Sequence, residues 1–203
     1  KAGIPAVFID KDVPDFYTIG IDNEAAMANM VEHFIVHHGF TRLNFVSGPE
    51  DNVESQLRLK AYRDTLAKHG IALEEKRIYH GNFMSKDGTD AVNAFLRSEL
   101  APPQAIICSN DLMAIAAMNA LTQNGIRVPE DVAVSGFDYI YNGRNFAPSL
   151  TSVQRPLERG GQLACQAIVN ALRGIPQERS IMLDTKCMFS HSCGCNEAPQ
   201  MDI

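Results

Sequence analysis

The sequence predicts an α/β fold with parallel sheets flanked by helices, and three observations carry that prediction. Short apolar, β-rich runs alternate with longer segments of helical periodicity along the chain. Helical segments repeatedly stop at a glycine: Gly39, Gly70, Gly125 and Gly174. The clearest stretch, residues 106–140, holds a complete strand–helix–strand unit. Its first run, Ala105 to Cys108, ends at Ser109-Asn110-Asp111, three residues able to cap a helix. Leu112, Ile115, Ala116, Asn119 and Ala120 then recur at helical spacing up to Asn124-Gly125, and Pro129 prevents a restart. Val132, Ala133 and Val134 form the second strand, which is expected to break at Ser135-Gly136 and deliver Asp138 beyond its end. Asn110 and Asp138 should therefore share one sheet edge, the edge where parallel sheets receive small ligands.

Composition limits the function. At 203 residues the chain suits one large domain or two small ones, and a net charge of −6 gives no electrostatic footprint for nucleic acid. No apolar run reaches membrane-spanning length, and no signal peptide opens the sequence. Five cysteines without regular spacing argue against a disulfide framework and for a reducing compartment, hence a cytoplasmic location. Lys1-Ala2-Gly3 runs directly into a buried strand with no neighbour before it, so the chain reads as a fragment.

Ile4 to Ile9 is the first expected strand. Asp10 at its carboxyl end reads equally as a turn aspartate or as a carboxylate facing a ligand. Tyr17 to Ile21 is a short strand, and Asp22-Asn23-Glu24 caps a helix from about Ala25 to His38. His33 and His37 on that helix have the i,i+4 spacing of zinc enzymes. No third ligand and no intervening general base accompany them, so no metal site is expected there. Leu43 to Val46 is the next strand. The Ser47-Gly48-Pro49 turn lacks the spacing of a phosphate loop.

A helix from Ser55 to His69 follows, with Arg58 in its first turn, where the helix dipole disfavours a cation. Arg58 is either a solvated surface residue or a fork aimed into a crevice. Ile78-Tyr79-His80 leads to Phe83, which is either a core side chain or a stacking platform for a ligand. Asp87-Gly88 opens a helix from Thr89 to Arg97. After Asp138, Tyr139 to Pro148 is a loop, Leu150 to Val153 a strand, and Pro156 begins a helix to about Leu172. Ile181 to Leu183 and Cys187 to Phe189 are β-like, and 196–203 reads as a tail or linker. His191, Cys193 and Cys195 with Cys187 could bind zinc, but their spacing matches no structural-zinc pattern, and packed free thiols are the favoured reading.

Several blocks carry a family resemblance: GIPAVFID (3–10), GIDNEAA (20–26), HHGFTRLNFVSGP (37–49), RLKAYRDTL (58–66), SNDLMAIAAMNAL (109–121), GIRVPEDVAVSGFD (125–138) and APSLTSVQRPLERGG (147–161). The chain resembles the effector-binding core of lactose-repressor-family (LacI) regulators, built on the type I periplasmic-binding-protein fold. The resemblance implies two αβα subdomains with a sugar, nucleobase or similar metabolite bound between them. Residues 1–22 and 155–182 would be a partial N-terminal subdomain, and 23–154 with 183–195 a complete C-terminal one. Asp10, Arg58, Phe83, Asn110 and Asp138 would be the ligand contacts, with Asn110 also readable as a helix cap.

The resemblance further implies a homodimer, partly through Met113, Ala114, Ala117 and Met118, although plain core packing would use the same residues. DNA would be reached only through a helix-turn-helix absent from this sequence. No cofactor, no metal, no membrane and no enzymatic activity is expected, because no nucleophile–base pair, metal set or phosphate loop is visible. The same sensor fused to a cyclase or kinase, or a periplasmic solute receptor, are the alternative readings. The Cys-Gly-Cys ending is similar to endings of sensor domains fused to other outputs.

Overall fold

The computed structural model describes residues 4–140 and 147–195. In chain order the elements are β1 (Val7–Ile9), β2 (Tyr17–Ile21), α1 (Asn23–Glu32), a π-helical turn (His33–His37), β3 (Leu43–Ser47), α2 (Val53–Lys68), β4 (Ile78–His80), α3 (Ser85–Leu96), β5 (Ala105–Cys108), α4 (Asp111–Gln123), β6 (Ala133–Asp138), β7 (Thr151–Gln154), α5 (Leu157–Leu172), β8 (Ser180–Leu183), β9 (Lys186–Met188) and a 3-10 turn (His191–Cys193). The chain divides into two compact units, 1–22 with 155–185, and 23–154 with 186–203.

The smaller unit holds a parallel three-stranded sheet in the order β1-β2-β8. Its first strand is shorter than expected, because Pro5 has no N–H to give to a ladder. Leu183, expected in the other subdomain, pairs with Ile21 here, so the last crossing falls after it.

The larger unit has a six-stranded sheet in the order β4-β3-β5-β6-β7-β9, parallel except where β9 joins β7 antiparallel. β3 and β5 are buried along their whole length, as apolar runs covered on both faces must be. Tyr62 of α2 stacks on Phe45 at 4.8 Å and donates its hydroxyl to the Leu43 carbonyl at 2.8 Å. α3 and α4 cross closely at Gly88, where an added Cβ would lie 2.0 Å from the Met113 carbonyl oxygen. Met113, Ala114, Ala117 and Met118 all fall in this core. Their reading as an interface is therefore corrected to core packing.

Three local expectations change for physical reasons. β6 continues through Ser135-Gly136 to Asp138, because Gly136 leaves room for the Asp111 carboxylate, 2.3 Å from where a Cβ would stand. α3 starts at Ser85, with Asp87 inside its first turn accepting hydrogen bonds from Asn82 N (2.7 Å) and Met84 N (2.9 Å). The helix expected to reach His38 changes to π geometry at His33. Burial, then the neighbouring His38 and His37, pushes the His33 imidazole down to about 4, and burial likewise lowers His38. The centre of the loop after Asp138 and the expected tail at 196–203 lie outside the described residues.

Candidate ligand-binding site

The parallel strands β3, β4, β5 and β6 bring their carboxyl ends to one edge of the larger sheet. Four of the five residues expected to touch a ligand, Arg58, Phe83, Asn110 and Asp138, belong to this edge.

Arg58 is only 2% exposed. Its Nε donates to Asn23 Oδ1 at 2.8 Å and one terminal nitrogen donates to the Ser109 carbonyl at 2.7 Å. The other terminal nitrogen stands 3.5 Å from Glu54 Oε1, and the guanidinium lies 3.7 Å from the centre of the Phe137 ring. The surface reading of this arginine is excluded. A cation taken out of water needs such partners, and each of these holds it at the strand ends.

Asn110 caps α4, with Oδ1 accepting from Met113 N at 2.9 Å. Its amide donates to the Phe83 carbonyl at 3.0 Å, so the cap also fixes the turn after β4. Phe83 needs that support, because its backbone sits at φ 63°, in the left-handed region that a bulky residue adopts at a cost. Its half-buried ring lies against Gly48, where a Cβ would come within 2.3 Å of it. Asp138 ends β6 half-buried at φ 105°, directly after Phe137.

Asp10 belongs to the smaller unit. Its backbone is also left-handed (φ 58°), its N–H donates to the Ile19 carbonyl at 2.8 Å, and its carboxylate is paired with Arg155 of the same unit. A cavity of about 120 Å³ beside it is lined by Ile9, Gly20, Gly160 and Leu183. That is too small for a sugar, whose pockets run to roughly 300 Å³ or more.

Sequence reasoning missed Asp111, which it read only as a helix-start residue. Asp111 is 1% exposed and faces inward. Its Oδ1 accepts from Ser152 Oγ at 2.6 Å and its Oδ2 from Ile140 N at 2.7 Å, which pins the backbone immediately after Asp138. Burial raises its pKa to about 7 against these stabilising hydrogen bonds, and the charge of Asp138 raises it further. The one sequence signal was Gly136, whose missing side chain admits the carboxylate.

Polar and aromatic groups collected where parallel strands end are how open α/β sheets receive small molecules. That defines the class as a ligand-binding α/β domain. The chain belongs to the family of periplasmic binding protein-like domains, which it matches over residues 31–193. It is 33% identical over 174 residues to the probable HTH-type transcriptional repressor ExuR of Bacillus subtilis, covering 85% of this chain and 52% of that one. A sugar-binding LacI-family transcriptional regulator from Escherichia coli, solved with phosphate, superposes with a TM-score of 0.85 at 31% identity, over 94% of this chain and 68% of that one. A complex of the transcriptional regulator CelR with cellobiose gives a TM-score of 0.85 at 28% identity, over 94% and 59%. The chain is thus an effector-binding core of the LacI type, and it spans about half the length of the curated relatives it matches. No helix among the described residues is long and apolar enough to cross a membrane.

Proposed function

We propose that this chain is the sensor of a cytoplasmic, homodimeric transcriptional regulator, and that its effector is a sugar or a similar polyhydroxylated metabolite. The observation that carries the reading is the edge where Arg58, buried and braced by Asn23 and Ser109, packs on the Phe137 ring that immediately precedes Asp138. An ionised carboxylate accepts from ligand hydroxyls, the buried Arg58 guanidinium holds the strand ends in place behind the ligand, and the Phe83 ring offers an apolar face for stacking. Asn110 sets the position of Phe83, and Asp10 is carried over from the family resemblance as a further acceptor. Two relatives of known structure support the ligand class, one a sugar-binding regulator and one in complex with cellobiose.

In this reading the chain turns over no substrate. Ligand binding shifts a conformational population, and that shift reaches DNA through another part of the regulator. The net charge of −6 on this chain agrees with a DNA contact made elsewhere. Titration calorimetry with a panel of mono- and disaccharides tests the proposal. A saturable heat is expected for one class of sugar, and Asp138→Ala should weaken it about ten- to a hundredfold, the worth of a charge-assisted hydrogen bond. Full affinity in Asp138→Ala with an unchanged circular dichroism spectrum would remove this edge as the site.

A further inference from the structure

Away from the strand ends, the larger unit gathers two imidazoles and two thiols at one point. His33 and His38 come from the end of α1, and Cys193 and Cys195 come from the turn after β9. The four candidate ligand atoms all lie within 4.8 Å of one another. His33 Nε2 and His38 Nε2 are 3.1 Å apart, and Cys195 Sγ stands 3.5 Å from the first and 3.7 Å from the second. Metal bonds of the usual length, pointing to the corners of a tetrahedron, would separate N and S ligands by roughly 3.3–3.8 Å. We infer that His33, His38, Cys193 and Cys195 form a structural site for a tetrahedral divalent metal of the zinc class.

The backbone explains how these four residues meet. In an α-helix, positions five apart point about 140° away from each other. The π-helical turn at His33–His37 closes its hydrogen bonds over five residues instead, so His33 and His38 come to one face. Gly194 is left-handed at φ 92°, which lets Cys193 and Cys195 turn toward the same point.

Both halves are held by the fold. The His33 ring stacks on Phe189 at 3.7 Å. The Cys193 turn is fixed by Ser192, whose N–H donates to the Ser149 carbonyl at 2.9 Å and whose hydroxyl donates to the Val134 carbonyl at 2.7 Å. Two thiolates neutralise a divalent cation, and two imidazoles complete a closed set without an open position, so the chemistry is structural. Loading releases both thiol protons, including the one Cys193 now gives to the Ser190 carbonyl at 3.1 Å. The metal would clasp the segment after β9 to the end of α1.

The protein, purified under reducing conditions without chelator, should carry one equivalent of zinc by elemental analysis. After chelation, added cobalt(II) should give the intense visible bands of a tetrahedral site and a thiolate charge-transfer band in the near ultraviolet. His38→Gln and Cys195→Ser should each lower the affinity for zinc by more than the roughly hundredfold commanded by outer-sphere partners. His37→Ala and His191→Ala, next to the cluster but outside it, should leave zinc affinity unchanged. These last two serve as folding controls, and the cobalt spectrum needs no variant at all. The inference is overturned by wild-type protein that holds no zinc and gives only octahedral cobalt spectra, by a Cys193–Cys195 disulfide in the native protein, or by equal metal loss in the control variants.

Discussion

Asp111 offers a test of how the ligand edge is held. Asp111→Asn keeps an acceptor for Ile140 N and can donate to Ser152 Oγ, so the local bonds survive while the titrating proton is removed. In the native protein burial holds the carboxyl at about 7, against 3.8 for an ordinary aspartate. Because the folded-state value is the higher one, the folded protein binds more protons through that window. Stability is therefore full below about pH 4, falls as pH rises, and levels off above about 7. At about 1.4 kcal/mol for each tenfold change in proton concentration, the loss between pH 5 and pH 8 comes to about 2–3 kcal/mol. The nearby Asp138 carboxylate contributes to the shift, and the buried Cys108 thiol, itself pushed far up, does not titrate in this range. Urea unfolding of both proteins at pH 5, 6, 7 and 8, followed by circular dichroism, isolates the effect as their difference. The wild type should lose about 2–3 kcal/mol relative to the variant across the series. Two curves that stay parallel would show that Asp111 is ionised throughout, and that its hydrogen bonds outweigh its burial.

Two further substitutions follow from close approaches. Gly88→Ala drives a Cβ into the Met113 carbonyl and should cost about 3 kcal/mol or more, seen as a large fall in melting temperature. An unchanged melting temperature would mean that α3 and α4 can slide apart freely. Gly48→Ala displaces the half-buried Phe83 ring at the rim of the core, so it should cost the fold little and weaken a stacked ligand by about 1 kcal/mol in calorimetry. Unaltered affinity would take Phe83 out of the site.

Much of the architecture is legible in the sequence because it rests on local rules. Val–Ile–Leu runs, caps such as Asn110, and stops such as Gly39 and Gly125 each act within a few residues. What escapes depends on contacts distant in sequence. The burial of Arg58 needs Asn23, Ser109 and Phe137, three residues from three other elements. Asp111 looks like any first-turn acid until Ile140 and Ser152 arrive beside it. The thiol–imidazole cluster escapes twice over. α-Helical spacing pairs His33 with His37, whereas the π turn brings His38 to the thiols, and Cys195 joins only across 157 residues or more of chain. Of Cys187, His191, Cys193 and Cys195, where the sequence favours packed free thiols, only Cys193 and Cys195 belong to the cluster.

The division of the chain also orders events during translation. β3 to β7 all lie within one continuous stretch, 43–154, so those five parallel strands of the larger sheet can pair as soon as that stretch has emerged. β1 and β2 precede that stretch, yet β2 meets β8 only across a separation of 162 residues between Thr18 and Ser180. At ordinary elongation rates the wait between Gln154 and Leu183 is roughly 1.5 to 6 seconds. β1 and β2, which precede the larger unit along the chain, thus gain their β8 partner only after its five parallel strands have emerged.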